Sequence, residues 1–230
     1  DINDQATSFC ILGTPDIRKK TAYLPLSLKK PKKTLTEVTQ EMQKCDQMKG
    51  LSVLEHGEMV RSYFMDLYDY LNGKPLKYDW KLPEWVDEHK DFLLEEINKF
   101  NIQHISTYHV YHDCGKPYCL TIDEEGRRHF PDHANVSYNI WKETGGDEFI
   151  GQLIKQDMDI HLLKDVGVDE FCKRDHAIIL LLTGLSEVHA NSTMFGGVES
   201  TSFKIKWKQI NKRGKAIIKN LKLNKDESNK

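Results

Sequence analysis

Long apolar runs are missing from this 230-residue chain: the longest unbroken one, Ala177 to Leu182, is far too short to span a bilayer. The first thirty residues also lack the charged segment followed by an apolar one that marks a secretory leader. Cysteine is sparse and odd in number: Cys10, Cys45, Cys114, Cys119 and Cys172 are scattered, which argues against a disulfide framework and suits a reducing compartment. Internal repeats and low-complexity tracts are absent too. The expectation is a soluble, cytoplasmic globular protein with no membrane partner. With 39% apolar residues, it has enough material for an ordinary core.

Net charge is only −2, but it is unevenly spread. Ser202 to Lys230 holds nine Lys and one Arg against Asp226 and Glu227, a net of +8, leaving −10 in the rest. Such a tail either contacts nucleic-acid phosphates or is a solvated terminus.

Periodicity predicts a mainly α fold. Residues 1–33 read as an N-terminal arm, with Pro15, Pro25, Pro31 and the run Lys29-Lys30-Pro31-Lys32-Lys33. A helix capped by Thr34 or Thr36 runs towards Met48, and a second runs from about Ser52 to Leu71 on a stripe through Val53, Val60, Phe64 and Leu67. A third starts at Pro83 and extends to Phe100. Thr107 and Val110 favour strand while Ile105, Tyr108 and His112 keep helical spacing, so Ile102 to Tyr111 is ambiguous on its own. Tyr118–Asp123 and Arg127–Phe130 flank Glu124-Glu125-Gly126 as a small hairpin. Asp132 then caps a helix carrying His133, and two more helices cover Asp147–Leu163 and Asp175–Asn191. Beyond Gly197, Phe203, Ile205 and Trp207 alternate with lysines as a strand with one basic face.

Chemistry concentrates in His112-Asp113-Cys114-Gly115-Lys116, where two different metal-binding side chains stand on consecutive residues before a glycine. Around it lie Ser52-Val53-Leu54-Glu55-His56, Arg128-His129-Phe130-Pro131-Asp132-His133 and Ser186-Glu187-Val188-His189. In that order these segments, from about Lys44 to Ser192, resemble the HD superfamily of metal-dependent phosphohydrolases. The stretch around His112 is similar to the HD domains of CCA-adding enzymes and RNA-end repair proteins. The resemblance tips Ile102–Tyr111 to helix and implies an HD helical bundle over 34–200, with a β-hairpin insertion and a basic C-terminal strand or helix over 201–230.

It also implies a divalent metal (Mn, Co, Fe, Ni or Zn, with Mg disfavoured at a His-rich site) held by His56, His112, Asp113 and a late-helix ligand. The family pattern has Ala-Asp there; here Glu187 or His189 must serve, with Asp175 a weaker choice. Lys116, Arg128 and His133 are the candidates for phosphate contacts, and Asp113, Lys116 and His133 for catalysis. His133 alternatively completes a second metal site with Asp157 and His161. The family implies phosphoester hydrolysis, here of a nucleotide. The activity expected is that of a 5′-nucleotidase on (deoxy)nucleoside monophosphates. The alternatives are a phosphatase or 2′,3′-cyclic phosphodiesterase on RNA ends, and an RNA- or DNA-binding module with a degenerate site. Cys114, Cys119, His129 and His133 spell C-x4-C-x9-H-x3-H, but the middle spacing is short for a zinc finger and leaves His56 and His112-Asp113 idle.

Overall fold

Helix starts follow side chains that satisfy orphan backbone N–H groups. The computed structural model describes residues 32–230, so the expected arm over 1–33 lies almost wholly outside the described residues. Helix α1 (Leu35–Lys44) opens on a reciprocal capping box between Thr34 and Glu37. A Lys49-Gly50 turn, with Gly50 at φ 81°, then joins strands β1 (Asp46–Met48) and β2 (Leu51–Ser52) as an antiparallel pair. The helix expected to continue to Met48 therefore stops at Lys44. Helix α2 (Val53–Leu71) begins on a second capping box, Ser52 with Glu55, which fixes the first turn where His56 sits.

The helix expected from Pro83 is divided into α3 (Glu84–Glu88) and α4 (Lys90–Asn98), interrupted at His89. Ile102–Tyr111 is helix α5, and a short α6 (Lys116–Cys119) follows the His-Asp turn. The expected hairpin forms from β3 (Thr121–Ile122) and β4 (Arg128–His129), Thr121 opposite His129. Helix α7 (His133–Glu143) starts after Asp132, which holds a left-handed φ of 53° and makes no side-chain cap bond. Its carboxylate accepts from Asn135 instead. The helix expected over 147–163 breaks near Asp157 into α8 (Glu148–Gln156) and α9 (Asp159–Leu162). After α10 (Val168–Cys172) comes α11 (Ala177–Ser192), buried on nearly every side as the central core helix. Helices α2, α4, α9 and α12 pack around it.

The C-terminal strand was not found. Residues Thr201–Ser228 form one long helix, α12, capped by Ser200. Phe203, Ile210, Gly214, Ile217 and Ile218 are buried on one face at helical spacing, while Ile205 is exposed. The alternation of Phe203, Ile205 and Trp207 was a short window on this longer period. Residues 33–230 form one compact unit, so α12 belongs to the body and the boundary expected at 200 is not a structural one. Removing it would strip those residues from the core. Among the described residues no helix is long and apolar enough to cross a membrane.

Two glycines set the spacing around the His-Asp turn. A Cβ on Gly57 would lie 2.2 Å from the Val110 carbonyl oxygen, and one on Gly115 would lie 2.3 Å from the Ser137 backbone nitrogen. Neither has positive φ; close backbone approach is what requires glycine at both. Gly57→Ala is expected to push α2 from α5, costing about 2 kcal/mol and roughly 6 °C of Tm. A thermal melt checks this, and an unchanged Tm would mean the two helices can separate freely.

Candidate metal centre

The residues that converge come from two helix termini and one helix interior, where backbone geometry holds side chains in place. His56 lies in the first turn of α2, His112 caps the C-terminus of α5, Asp113 follows it, and Glu187 sits in the last third of α11. His56, His112 and Asp113 are almost fully buried. His56, His112 and Glu187 each offer one ligand atom, all within 4.8 Å of one another. The Nε2 atoms of His56 and His112 lie 3.5 and 3.6 Å from Glu187 Oε1. Asp113 Oδ2 joins them at 3.7 Å from His56 Nε2 and 3.2 Å from His112 Nε2.

Hydrogen bonding decides which atoms are free. His112 Nδ1 is 2.7 Å from the His109 carbonyl oxygen, which can only accept, so Nδ1 carries a proton and Nε2 is turned to the cluster. His56 Nε2, His112 Nε2 and Asp113 Oδ2 have no hydrogen-bond partner despite burial. Lys116 Nζ is 2.7 Å from Asp113 Oδ2, an ion pair without hydrogen-bond angles, so that oxygen keeps a lone pair. Unpaired buried polar atoms are costly, and imidazole nitrogens with carboxylate oxygens form the donor set of divalent transition metals. The residues fit a metal ion.

Charges reinforce one another here. Burial alone would lower the His112 pKa, but the charge of Asp113, helped by Asp157, holds it well above the ordinary histidine value. Burial would raise the carboxyls of Asp113 and Glu187. Instead His112 and Lys116 hold Asp113, and contacts with His112, His161 and His56 hold Glu187, well below the usual carboxylate range. Lys116 is buried and pulled down by desolvation, yet Asp113 raises its pKa overall, so it remains a cation. It also donates to Gln47 of β1 at 3.1 Å.

The other expected residues divide into those near this point and those apart from it. His133 stands at the rim, with Nε2 3.6 Å from Asp113 Oδ1 and Nδ1 directed at the Phe130 carbonyl. His161 Nε2 lies 3.1 Å from Glu187 Oε2, on the far side of that carboxylate. Asp157 is bonded to Tyr108, and burial raises its pKa. His133, Asp157 and His161 are thus split between two flanks and do not form the separate second site considered for them.

His189 has no nitrogen free for an ion. Its Nδ1 donates to the Leu185 carbonyl at 2.8 Å and its Nε2 accepts from Lys81 N–H at 3.1 Å, so both nitrogens are occupied. Burial lowers its pKa to about 4, and this neutral ring ties the Lys81 segment to α11. Asp175 lies elsewhere, beside Lys225 and Ser228. Arg128 is exposed on β4 and takes no part in the cluster. The zinc-finger pattern is not assembled: Cys114 donates to the Ser137 carbonyl, while His129 pairs with Asp123 at 2.8 Å.

Beside Glu187 and His161 opens a cleft of about 280 Å³, whose opposite wall is Lys206, Gln209, Ile210 and Arg213 of α12. Reading the tail as strand or solvated terminus missed this. The signal was present as the i, i+3, i+7 spacing of Lys206, Gln209 and Arg213.

Glu187→Gln is expected to lower affinity for Mn2+ at least tenfold, since an amide oxygen lacks the charge, whereas His189→Ala should change it less than about twofold. Metal titration of both variants reads the ranking, and the reverse order would place the ligand at His189. A second outcome concerns protons. His112, held protonated without metal, must lose its proton to ligate, so binding should release protons and affinity should rise with pH until the His112 pKa is passed. Calorimetry in buffers of different ionisation enthalpy measures the release.

No family model, curated protein or solved structure matches this chain.

Proposed function

We propose that this protein is a metal-dependent phosphohydrolase of the HD type that removes phosphate from a nucleotide, with (deoxy)nucleoside 5′-monophosphates as the substrate class. The observation that carries the reading is the convergence of the unpartnered Nε2 atoms of His56 and His112 on the Glu187 carboxylate, with the unpartnered Asp113 Oδ2 beside both rings. The resemblance around His112-Asp113 supports it. His56, His112, Asp113 and Glu187 would hold a divalent ion, with Mn, Co, Fe, Ni and Zn all suited to that donor set. Bound there, the ion supplies Lewis acidity, acidifying water and offsetting charge on a phosphoryl oxygen.

The chain's own groups supply the rest. Lys116 neutralises Asp113 and keeps it ionised; with one donor engaged by Gln47 and the Asp113 ion pair lacking hydrogen-bond angles, it has N–H groups left for a phosphoryl oxygen. His133 has Nδ1 engaged by Phe130, which leaves Nε2 to take a proton from an attacking water and later return it to the leaving alkoxide. Burial of His112 and Asp113 excludes competing solvent from the ligand atoms.

A second reading, action on RNA 2′,3′-cyclic or phosphorylated ends, is favoured by the basic residues of α12 beside the cleft. The binding-module alternative rests on the irregular late-helix ligand; the position of Glu187 beside both imidazoles supports the metal reading over it.

Metal-reconstituted protein assayed against mononucleotides and RNA ends in parallel tests the proposal. His112→Ala and Asp113→Ala are expected to lower kcat by at least about a thousandfold while far-UV circular dichroism stays native. Full phosphatase activity in either variant would remove the metal centre from the chemistry.

A further inference from the structure

Helix α12 carries an unevenly used set of cations. Lys204 pairs with Glu199 and Lys212 with Asp165, each at 3.2 Å, and Lys225 pairs with Glu95 at 3.0 Å. Lys206 and Arg213, which face the cleft beside Glu187 and His161, have no carboxylate partner among the described residues. Arg213 is half-buried, and its Nε donates to the Leu163 carbonyl at 2.9 Å. That bond fixes the guanidinium plane and uses one of its five N–H donors, leaving the two terminal amino groups for another acceptor. Gln209 lies between the two cations on the same face, adding a neutral donor.

A half-buried guanidinium and a lysine thus face one cleft without a direct ion pair, although Glu187 lines it too, and the guanidinium fork matches phosphate oxygens. The cleft shares Glu187 with the metal centre and has His161 beside it, so an anion held there would adjoin a phosphoryl group at the ion. Lys116 and His133 stand on the Asp113 side of the cluster and do not line this cleft.

We infer that Lys206 and Arg213 form a subsite for a second phosphate group of the substrate, adjoining the phosphoryl group processed at the metal centre. The inference rests on the phosphohydrolase reading for its first phosphate. The preferred substrate then carries two phosphates, either both on one nucleoside or one terminal and one in the next phosphodiester of a short oligonucleotide. Specificity would lie in α12, outside the segment that carries the resemblance.

The test is calorimetric titration of the full, Mn2+-loaded chain with adenosine 5′-monophosphate, adenosine 3′,5′-bisphosphate and a 5′-phosphorylated dinucleotide. Binding appears as a saturating heat and turnover as a steady one, so the two readings are scored separately. At least one two-phosphate ligand should bind roughly tenfold tighter than the monophosphate. Which of them does so identifies the source of the second phosphate. Lys206→Gln and Arg213→Gln should each reduce that preference by about threefold or more. Lys206 is exposed, so its variant keeps the test decisive if loss of the Leu163 bond unfolds the other. Equal affinity for all three ligands, or a preference that survives both substitutions, overturns the subsite even if turnover is seen. A preference lost in the variants, without steady heat from any ligand, upholds the subsite and overturns hydrolysis.

Discussion

Buried polar atoms held without partners are the constraint on which this structure depends. Two imidazole nitrogens and a carboxylate oxygen sit where solvent cannot satisfy them, and the folded chain tolerates this through mutual charge: His112 stays cationic beside Asp113, and Lys116 stays cationic beside both. Such a network is expensive to leave incomplete, so its neighbours are fixed closely. Ser137 Oγ accepts from Gly115 N–H at 2.9 Å, and the Gly115 Cα allows α7 to approach the turn as nothing larger could.

The scaffold meets that demand by drawing the ligands from helix ends and one helix interior. The capping box at Ser52 sets the α2 start, the His109 carbonyl sets the His112 tautomer, and α11, buried along its length, holds Glu187 against both rings. His109 and His189 show the contrast within one core. Burial takes His109 to a pKa of about 3 and His189 to about 4, and both serve as neutral hydrogen-bonding rings, His109 to Thr183 and His189 to Lys81. His189 has both nitrogens engaged and His109 one, whereas His56 and His112 turn an unpartnered Nε2 toward Glu187.

Helix α12 joins the core to the cleft. One face is buried through Phe203, Ile210, Ile217 and Ile218, with Gly214 against the Trp85 ring; an adjoining stripe brings Lys206 and Arg213 to the cleft. Trp85 is anchored there by donating to Asn211, so α3 and α12 are locked together. The basic character of the segment is therefore compatible with a fixed place in the fold.

By itself, the amino-acid order determined the helical class, a cap at Thr34 or Thr36, a helix start near Ser52, the hairpin around Gly126 and the metal-binding side-chain types of His56, His112 and Asp113, because capping, turn chemistry and adjacency act over a few residues. Only the tertiary structure shows that Glu187 faces His56 and His112 while His189 has both nitrogens engaged. Both lie on α11, and the difference rests on a hydrogen bond to Lys81, more than a hundred residues away in sequence, that occupies the second histidine nitrogen. The α12 helix was misread for a related reason. Three alternating apolar residues look the same in a strand and in the first turns of a helix until Ile210, Gly214 and Ile217 find their partners in the core, and burial against distant side chains is not written in any local pattern.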